Sequence, residues 1–429
     1  MSRLKPQLSL SQGIALLATT MLGTGVFVVP VLAARQTGTT SLLAWGALLL
    51  LTLPIAFTFA ALGKKSAHAG GIPHIVGQAF GKESEKLTAF LFFAILPVGM
   101  PASLVIGSGF IQALIPLSGL ANLAVQLGML LGMLLLGIIG AKASGQMQTV
   151  IALLIVSLIA SLWWVIAPNG VDFKIPLSLS APHTLLNALG LMFWCIIGIE
   201  AFIHMGEEFR SPQRDFPLAL ILGTLLTLLI YWATSVLVLH DLPHIVNAPS
   251  AAALPIMTEI HLGSKAAILV TVLGFLACFA STNVYLQGYA RLIWSLADEG
   301  KLPRKLATLS ARSTPIYALV CITLISMLMC WGIWLANLPL NHLLLYTNGN
   351  YIVIYLLAML AAVTLLKGYQ RVLAVLSTAI TLLFFWSLGR AMSYVFILCC
   401  IFICARLIWR AFGHWGNSRR RKALDASIH

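Results

Sequence analysis

Long apolar runs, separated by short polar or charged connections, account for most of the chain. Twelve of these runs come close to the roughly 20 residues that an α-helix needs to cross the hydrocarbon core of a bilayer. They cover residues 8–34, 41–62, 87–115, 121–139, 148–166, 185–205, 217–240, 266–292, 315–335, 343–365, 372–388 and 393–408. The pattern predicts an all-α membrane protein with twelve transmembrane helices, numbered here as spans 1 to 12, in a single domain over residues 1–429.

Span 1 is interrupted near its middle by Leu22–Phe27, which has the sequence Leu-Gly-Thr-Gly-Val-Phe. Each glycine costs about 1 kcal/mol of helix propensity relative to alanine, and a backbone group released inside a bilayer needs another partner. We therefore expect this first interruption to line a polar cavity. Amide groups at Gly25–Phe27 would suit an anion and carbonyl groups at Thr20–Leu22 a cation, and a zwitterionic amino acid carries both charges. Close packing of another helix against the glycines is the alternative interpretation.

A second interruption lies in span 6 at Phe193–Glu200, where a glycine and a glutamate stand inside an apolar run. It comes five spans after the first, and an odd number of spans inverts the second unit relative to the first. Residues 8–166 and 185–365 are therefore predicted to form a five-plus-five inverted repeat, followed by two extra helices over residues 372–408. Interrupted segments at corresponding positions of two halves are the best sequence indication of a transporter binding site.

Composition and charge support a membrane protein. Hydrophobic residues make up 60% of the chain and charged residues only 9%, compared with about 25% charged in soluble domains. If the N-terminus is cytoplasmic, four of the 26 Lys and Arg residues lie on the outer side, namely Arg35, Lys174, Lys265 and Arg390. This bias predicts that both termini, including a basic tail over residues 409–429, are cytoplasmic. We assign the net charge of +14 to topology and contact with lipids, and not to nucleic-acid binding.

The seven cysteines lie in apolar runs without the spacing of metal ligands. They are typical of small buried side chains, so neither a disulfide framework nor a metal site is predicted. No nucleotide-binding loop is recognisable either, because Gly23-Thr24-Gly25 lacks the lysine of a phosphate-binding loop. An enzyme and a bound cofactor are therefore not expected.

Four separated segments, taken together and in order, resemble the amino acid-polyamine-organocation superfamily. They are Leu22–Phe27, Phe193–Glu200, Gly206–Pro217 and Ala290–Pro303. The resemblance spans essentially the whole chain, and Leu10–Leu17 and Gln148–Ala152 are most similar to the bacterial exporters of methionine and branched-chain amino acids. It implies a LeuT-like fold with broken helices in spans 1 and 6, and amino acid transport across the bacterial inner membrane.

The resemblance also implies roles for residues of the first interruption. The substrate carboxylate is expected on the amide groups of Thr24, Gly25 and Val26. Glycine at positions 23 and 25 is expected to leave space for the backbone of the bound substrate, because a side chain on Gly23 or Gly25 would fill that space.

The remaining site residues implied by the resemblance come from elsewhere along the chain. The substrate ammonium is expected near the carbonyl groups of Met21 and Cys195–Ile197, beside the helix break at Gly198. Trp194 resembles an aromatic gate that closes over the substrate, although core packing is the alternative. Tyr285 matches a further aromatic position of the family's pocket.

Glu200 is the only carboxylate that the sequence places at membrane depth. Intramembrane acids are expensive and are functional candidates by default. Burial favours the protonated form of a carboxyl group, so we expect Glu200 to respond to protons and to couple them to gating. The alternative is a structural acid that accepts hydrogen bonds from free amide groups at the second interruption.

Other sequence features bear on coupling and specificity. Span 5 has no lysine at Val150–Val156, where some members of the superfamily carry one, and sodium coupling would depend on hydroxyl groups such as those of Ser281 and Thr282. No Lys or Arg lies at membrane depth, so a neutral, hydrophobic amino acid is the expected substrate. The polar cluster Tyr346–Tyr351 either contacts the substrate or bonds to neighbouring helices.

The sequence thus predicts a secondary transporter of methionine, leucine, isoleucine and valine, working outward by proton antiport as a monomer or a homodimer. An importer or exchanger of the same fold is the first alternative. A membrane sensor that binds an amino acid without transporting it is the second.

Overall fold

The computed structural model describes residues 8–65, 70–139, 142–166, 182–203, 209–298, 300, 302–310 and 314–407. The α-helices are α1 (Leu10–Leu22), α2 (Val29–Thr37), α3 (Thr40–Lys65), α4 (Gly71–Phe80), α5 (Lys82–Phe93), α6 (Leu96–Leu114), α7 (Gly119–Ile139), α8 (Lys142–Ile166), α9 (Pro182–Met192), α10 (Ile199–Ile203), α11 (Asp215–His240), α12 (Leu242–Ile245), α13 (Ala253–Leu262), α14 (Ser264–Asp298), α15 (Ile316–Ala336), α16 (Leu340–Leu365), α17 (Tyr369–Ser387) and α18 (393–407). In this part of the chain the only extended pairing is one bridge between Leu8 and Phe209. The predicted all-α fold is confirmed. The predicted basic tail lies outside the described residues.

Ten helical segments of the described chain are long and apolar enough to cross a membrane. Two shorter apolar helices, Leu10–Leu22 and His183–Ile196, lie where spans 1 and 6 are predicted. Large apolar side chains face outward from the long helices, for example Trp164 at 84% exposure and Trp386 at 77%. Such exposure suits contact with lipid, and the chain is a multi-pass membrane protein.

The first predicted span consists of two helices. Ser9 caps the start of α1, where its hydroxyl accepts a hydrogen bond from the Gln12 amide at 3.4 Å and the Gln12 side chain accepts one from the Ser9 amide at 3.0 Å. Helix α1 ends at Leu22, as the glycines predict, and α2 begins at Val29 with Pro30 in its first turn. Proline is well tolerated there because the first amide groups of a helix have no partner within the helix.

Span 3 differs from its prediction, because it is neither continuous nor limited to residues 87–115. It begins at Lys82, and a turn at Ala94–Ile95 divides it into α5 and α6. Pro97 lies in the first turn of α6 and Pro101 lies within the same helix. A proline inside a helix removes an amide donor and clashes with the preceding turn. Pro97 therefore explains the break, whereas α6 continues through Pro101.

The two interruptions lie in the interior of the helical bundle. Helix α1 packs against α8, α11 and α14, and α11 packs in turn against α3. Helix α14 packs against α6, while α16 packs against α4, α6 and α17. Because α1 contacts both α11 and α14, side chains of those two helices reach the backbone of the first interruption.

Candidate functional site

The first interruption, which the structure places at residues 23–28, is a compact series of turns. The amide groups of Gly25 and Val26 donate to the Leu22 carbonyl oxygen at 3.1 and 3.0 Å. The carbonyl of Gly25 in turn accepts from the amides of Val28 and Val29 at 3.1 and 2.8 Å. Within the described residues the Thr24 amide has no hydrogen-bond partner. Of the three amides predicted to hold a carboxylate, Thr24 is therefore the one that is free in this structure.

Hydroxyl and thiol groups of neighbouring helices occupy several carbonyl groups at the end of α1. Tyr231 of α11 donates its hydroxyl to the Met21 carbonyl at 2.8 Å. Ser281 and Cys278 of α14 donate to the carbonyls of Thr20 and Gly23 at 3.2 and 3.6 Å respectively. The neighbouring Thr282 hydroxyl donates within its own helix, to the carbonyl oxygen of Cys278 at 2.7 Å.

The two glycines are required because of protein side chains. A β-carbon on Gly25 would overlap the Tyr231 hydroxyl and lie 3.1 Å from its ring carbon Cζ. A β-carbon on Gly23 would lie 2.8 Å from the Ser281 hydroxyl and 3.1 Å from the carbonyl oxygen of Ala277. Close approach of α11 and α14 therefore requires glycine at both positions. The predicted space for the substrate backbone stays a prediction.

The second interruption begins with a single 3₁₀ turn at Phe193–Ile196. Ile197 is extended, with φ −66° and ψ 131°, and Gly198 has φ +127°. Only glycine adopts that φ without strain. A β-carbon on Gly198 would also lie 3.1 Å from Met21 Cγ, so the two interruptions are in contact. Within the described residues, the carbonyls of Cys195 and Ile197 accept no hydrogen bond.

Glu200 is buried, with 1% of its surface exposed, and bonds back onto the second interruption. Its Oε2 atom accepts from the Gly198 amide at 2.8 Å and from the Tyr355 hydroxyl of α16 at 2.6 Å. Tyr355 also lies 3.0 Å from the carbonyl oxygen of Ile196. The Oε1 atom has no partner among the described residues. This geometry includes the hydrogen bond expected of a structural acid, while the unpaired oxygen leaves a position for a proton.

Trp194 connects the two interruptions through its indole group. The indole Nε1 donates to the Thr24 hydroxyl at 3.1 Å, and the side chain is 8% exposed. Its Cδ1 atom would lie 3.5 Å from a β-carbon on Gly25. The indole therefore lies against the first interruption, within the buried core of the bundle.

A cavity of about 40 Å³ lies between the two interruptions and helices α6, α14 and α16. One water needs about 10–15 Å³, so the cavity has room for roughly three waters. Its lining residues are Thr20, Met21, Thr24, Ile95, Gly99, Met100, Ser103, Trp194, Ile197, Thr282, Tyr285, Tyr289, Thr347 and Tyr351. All of these side chains are uncharged.

Five of the predicted site residues line this cavity: Met21, Thr24, Trp194, Ile197 and Tyr285. The other six predicted site residues do not line the cavity: Gly23, Gly25, Val26, Cys195, Gly198 and Glu200. The structure thus brings both interruptions and span 8 together at one place.

Span 3, expected from the sequence only as one of several mostly apolar neighbours of the pocket, forms a wall of the cavity with residues that the sequence did not single out. Ile95, Gly99, Met100 and Ser103 come from the start of α6. A usable signal was present, because Pro97 and Pro101 around Gly99 mark a third interruption. By contrast, nothing in the sequence identified Tyr231 and Tyr355, whose partners are backbone groups distant along the chain.

The polar cluster of span 10 bonds to a neighbouring helix and also reaches the cavity. Thr347 and Tyr351 line the cavity. Asn348 donates its amide to the carbonyls of Gly190 and Leu191 at 2.8 and 3.2 Å, at the end of α9. Tyr346 stacks on Tyr394, with ring centroids 5.2 Å apart.

A larger cavity of about 800 Å³ is lined by residues from the second half of α2, the second half of α9 and the start of α16. Arg35 is the one charged residue among its described lining residues. Its guanidinium donates to the Ser250 hydroxyl at 3.1 Å and to the carbonyls of Ile245 and Ala248 at 2.6 and 2.5 Å. Arg35 therefore ties the segment around α12 to the end of α2.

Comparison with known proteins gives a consistent result over nearly the full length of the chain. The amino acid permease family matches residues 8–417. The chain is 43% identical over 400 residues to the L-methionine/branched-chain amino acid exporter YjeH of Escherichia coli K12, covering 93% of this chain and 95% of that protein. It is 26% identical over 357 residues to the uncharacterised amino acid permease YecA of Bacillus subtilis 168, covering 83% and 84% of the two proteins.

The chain is also 22% identical over 315 residues to the putrescine transporter PotE of Escherichia coli K12, covering 71% of each protein. The match to the permease family covers most of the chain, and the identity to the exporter is high over the same length. The central cavity and the many apolar helices are what a membrane permease requires. This chain therefore belongs to the amino acid permease family.

Proposed function

We propose that this protein is a secondary transporter that exports methionine, leucine, isoleucine and valine across the bacterial inner membrane by alternating access. The single observation that carries the proposal is the uncharged central cavity enclosed by the two interruptions. The 43% identity to an exporter of L-methionine and branched-chain amino acids supports this choice of substrates.

The substrate carboxylate binds first at the Thr24 amide, which is free and adjacent to the cavity. The amides of Gly25 and Val26 are then available if the turn releases their bonds to Leu22. Thr24 lies in the turns between α1 and α2, and backbone amides left free in turns can bind anions. In this proposal Gly23 does not contact the substrate, and its lack of a side chain permits the close approach of α14.

The substrate ammonium binds at the carbonyls of Cys195 and Ile197, which accept no hydrogen bond in the described chain. The carbonyl of Met21 is shared with the Tyr231 hydroxyl, and a carbonyl oxygen has a second lone pair for the ammonium. Gly198 allows the backbone to present these carbonyls because of its positive φ.

The substrate side chain is neutral and apolar, since the lining contains no charge that could pair with an acidic or basic group. Glu200 is turned toward Gly198 and Tyr355 and does not line the cavity. A buried charge without a partner costs several kcal/mol, so arginine and glutamate are excluded from the cavity. Tyr285 adds an aromatic surface beside the substrate.

Trp194 acts as a gate. Its hydrogen bond to Thr24 holds the indole across the first interruption, and the cavity is too small for an amino acid while the indole stays there. Entry of the substrate therefore requires the indole to move away from Thr24.

Glu200 couples the second interruption to protons. Its Oε2 atom holds Gly198 and Tyr355, while the unpaired Oε1 receives the proton. A change in charge at Glu200 alters both hydrogen bonds and therefore the conformation of the second interruption. The inward proton gradient then drives outward movement of the amino acid.

The proposed architecture has twelve spans, a five-plus-five inverted repeat and both termini in the cytoplasm. The ten long helical segments and two shorter apolar helices support this count. In this orientation the larger cavity beside Arg35 opens to the periplasm, as the vestibule through which exported substrate leaves. Basic residues at the cytoplasmic face contact lipid headgroups, and the protein works as a monomer or a homodimer.

The test is flux of radiolabelled methionine and leucine in proteoliposomes, with and without an imposed pH gradient. Arginine and glutamate serve as controls of charge. Proton-driven accumulation of only the apolar pair is the expected result. Exchange that ignores the gradient would overturn proton coupling and support an exchanger of the same fold. Binding of methionine without any flux would overturn transport itself and support a sensor.

A further inference from the structure

A basic patch, made of Lys64, Lys65, Lys367 and Arg371, lies at the end of the bundle where α3 ends and α17 begins. Lys64 and Lys65 are the last two residues of α3, whereas Lys367 and Arg371 lie on either side of the first residue of α17. All four basic residues are exposed. In the proposed orientation this end faces the cytoplasm, so the basic patch lies at the level of the inner-leaflet headgroups.

One contact brings the end of α3 to the turn that carries Lys367. The Lys65 ammonium donates a hydrogen bond to the carbonyl of Leu365, the last residue of α16. Lys367 follows two residues later in the chain. An ammonium group has three donors, so Lys65 keeps donors for another acceptor.

A second contact sets the register of α3 against α17. The hydroxyls of Thr58 and Ser377 lie 2.9 Å apart, and the two helices pack along each other. They run in opposite directions, because α3 ends where α17 begins. Lys64 comes six residues after Thr58, and Arg371 comes six residues before Ser377. Both steps are a rise of about 9 Å along the helix, so Lys64 and Arg371 lie at the same depth.

The basic patch has no acidic partner in the part of the chain that the structure describes. The ion pairs found there join Glu83 to Lys86 and Arg406, and Asp241 to His261. Like charges held close together repel one another, and an anion placed between them relieves the repulsion. Clusters of Lys and Arg at the cytoplasmic end of transmembrane helices are typical of binding to anionic lipid headgroups.

An exposed apolar strip continues from the basic patch along α17 into the membrane. Tyr369 is 79% exposed, and Val372 and Leu376 are exposed as well. These three residues have the spacing of one helix face, and tyrosine is enriched at the depth of the headgroups. A charged patch joined to an apolar strip fits an amphiphile, whereas a soluble anion or an acidic protein would use only the charged part.

We propose that this surface binds one anionic phospholipid of the cytoplasmic leaflet. The lipid phosphate contacts the basic patch between α3 and α17, and an acyl chain lies along Val372 and Leu376. A headgroup held there joins the ends of α3, α16 and α17 and stabilises the packed bundle. The assignment to the cytoplasmic leaflet rests on the orientation given in the proposed function.

The experiment measures binding of phosphatidylglycerol to the purified protein in detergent by native mass spectrometry, with phosphatidylcholine as the neutral lipid. Lys64→Gln/Lys367→Gln/Arg371→Gln should lower the affinity for phosphatidylglycerol at least about tenfold, because each basic residue adds to the attraction. Arg304→Gln/Lys305→Gln is the matched control, because these exposed residues lie on a 3₁₀ turn that packs against α14 and α15. The control should change the affinity by less than about twofold, since separated exposed charges are screened by salt.

If the triple variant does not fold, Lys367→Glu provides the test, because Lys367 is exposed and bonds to no other residue of the described chain. Equal affinity in the wild-type protein and these variants, or an equal loss in the matched control, would overturn the site. Thermal stabilisation by inorganic phosphate as large as that by phosphatidylglycerol would overturn the lipid in favour of a soluble anion. Lack of methionine flux, or access to Lys367 from the periplasm, would instead overturn the proposed function while binding in detergent stands, so the two failures are distinguishable.

Discussion

The first and second interruptions occupy corresponding spans, yet their backbone groups are satisfied by different chemistry. At the first, neutral hydroxyl and thiol groups of Tyr231, Ser281 and Cys278 donate to carbonyls of the chain. At the second, the carboxylate of Glu200 accepts from the amide of Gly198, and Tyr355 links that carboxylate to α16. Of the two interruptions, only the second is bonded to a carboxyl group.

This difference suggests that the two interruptions have different functions in the transport cycle. The first interruption keeps the Thr24 amide free and positions it beside the cavity. The second interruption carries an acid that can change its hydrogen bonds when it gains or loses a proton. In the proposed function the substrate carboxylate and the proton then bind in different halves of the chain, and contact between Gly198 and Met21 connects the two halves.

The largest effect is expected from Gly25→Val, which tests the first interruption. Overlap with the Tyr231 hydroxyl forces the turn or α11 to shift, and overpacking of this kind costs about 1–3 kcal/mol or more. Methionine flux should fall by more than about tenfold while the protein still inserts and runs as a single species in detergent. Gly46→Val is the control, since a β-carbon there meets nothing within 4 Å. Normal flux by Gly25→Val would contradict the assigned geometry.

Glu200→Gln tests the chemistry that is special to the second interruption. Glutamine can still accept the Gly198 hydrogen bond, but it cannot titrate. We expect wild-type efflux to rise as the outer solution is acidified, whereas the variant should vary by less than about twofold over the same pH range. The measurement is efflux from preloaded proteoliposomes at a series of pH values. A variant with the wild-type profile would leave Glu200 as a structural acid.

The smallest effects are expected from Tyr231→Phe and Tyr355→Phe, which remove one hydroxyl from each interruption. Loss of a neutral hydrogen bond costs about 1 kcal/mol and loss of one to a charged group about 1.5–3 kcal/mol. Tyr355→Phe should therefore slow flux more than Tyr231→Phe and should also displace the pH profile. Equal effects, with unchanged pH profiles in both variants, would remove the distinction between the two interruptions.

Much of the fold could be predicted because membrane burial constrains sequence so strongly. Gly23 and Gly25 marked the end of α1, and Gly198 marked the second interruption within the range where the structure has it. Span 3 was predicted as continuous because its hydropathy is uniformly high, although Pro97 and Pro101 break its hydrogen bonding. Hydropathy reports burial in the membrane and is insensitive to where a backbone hydrogen bond is lost.

Within the candidate site, the positions of the interruptions and the lack of Lys and Arg follow from residue type alone. That Glu200 is turned toward Gly198 and Tyr355 and does not line the cavity depends on how the helices pack. Which groups meet at the interruptions depends on the packing of helices that are distant along the chain. Tyr231 and Met21 are 210 residues apart, and Tyr355 and Glu200 are 155 residues apart. A hydroxyl on an apolar helix gives no local sign of its partner, because that partner is fixed by how helices pack and not by the order of residues along the chain.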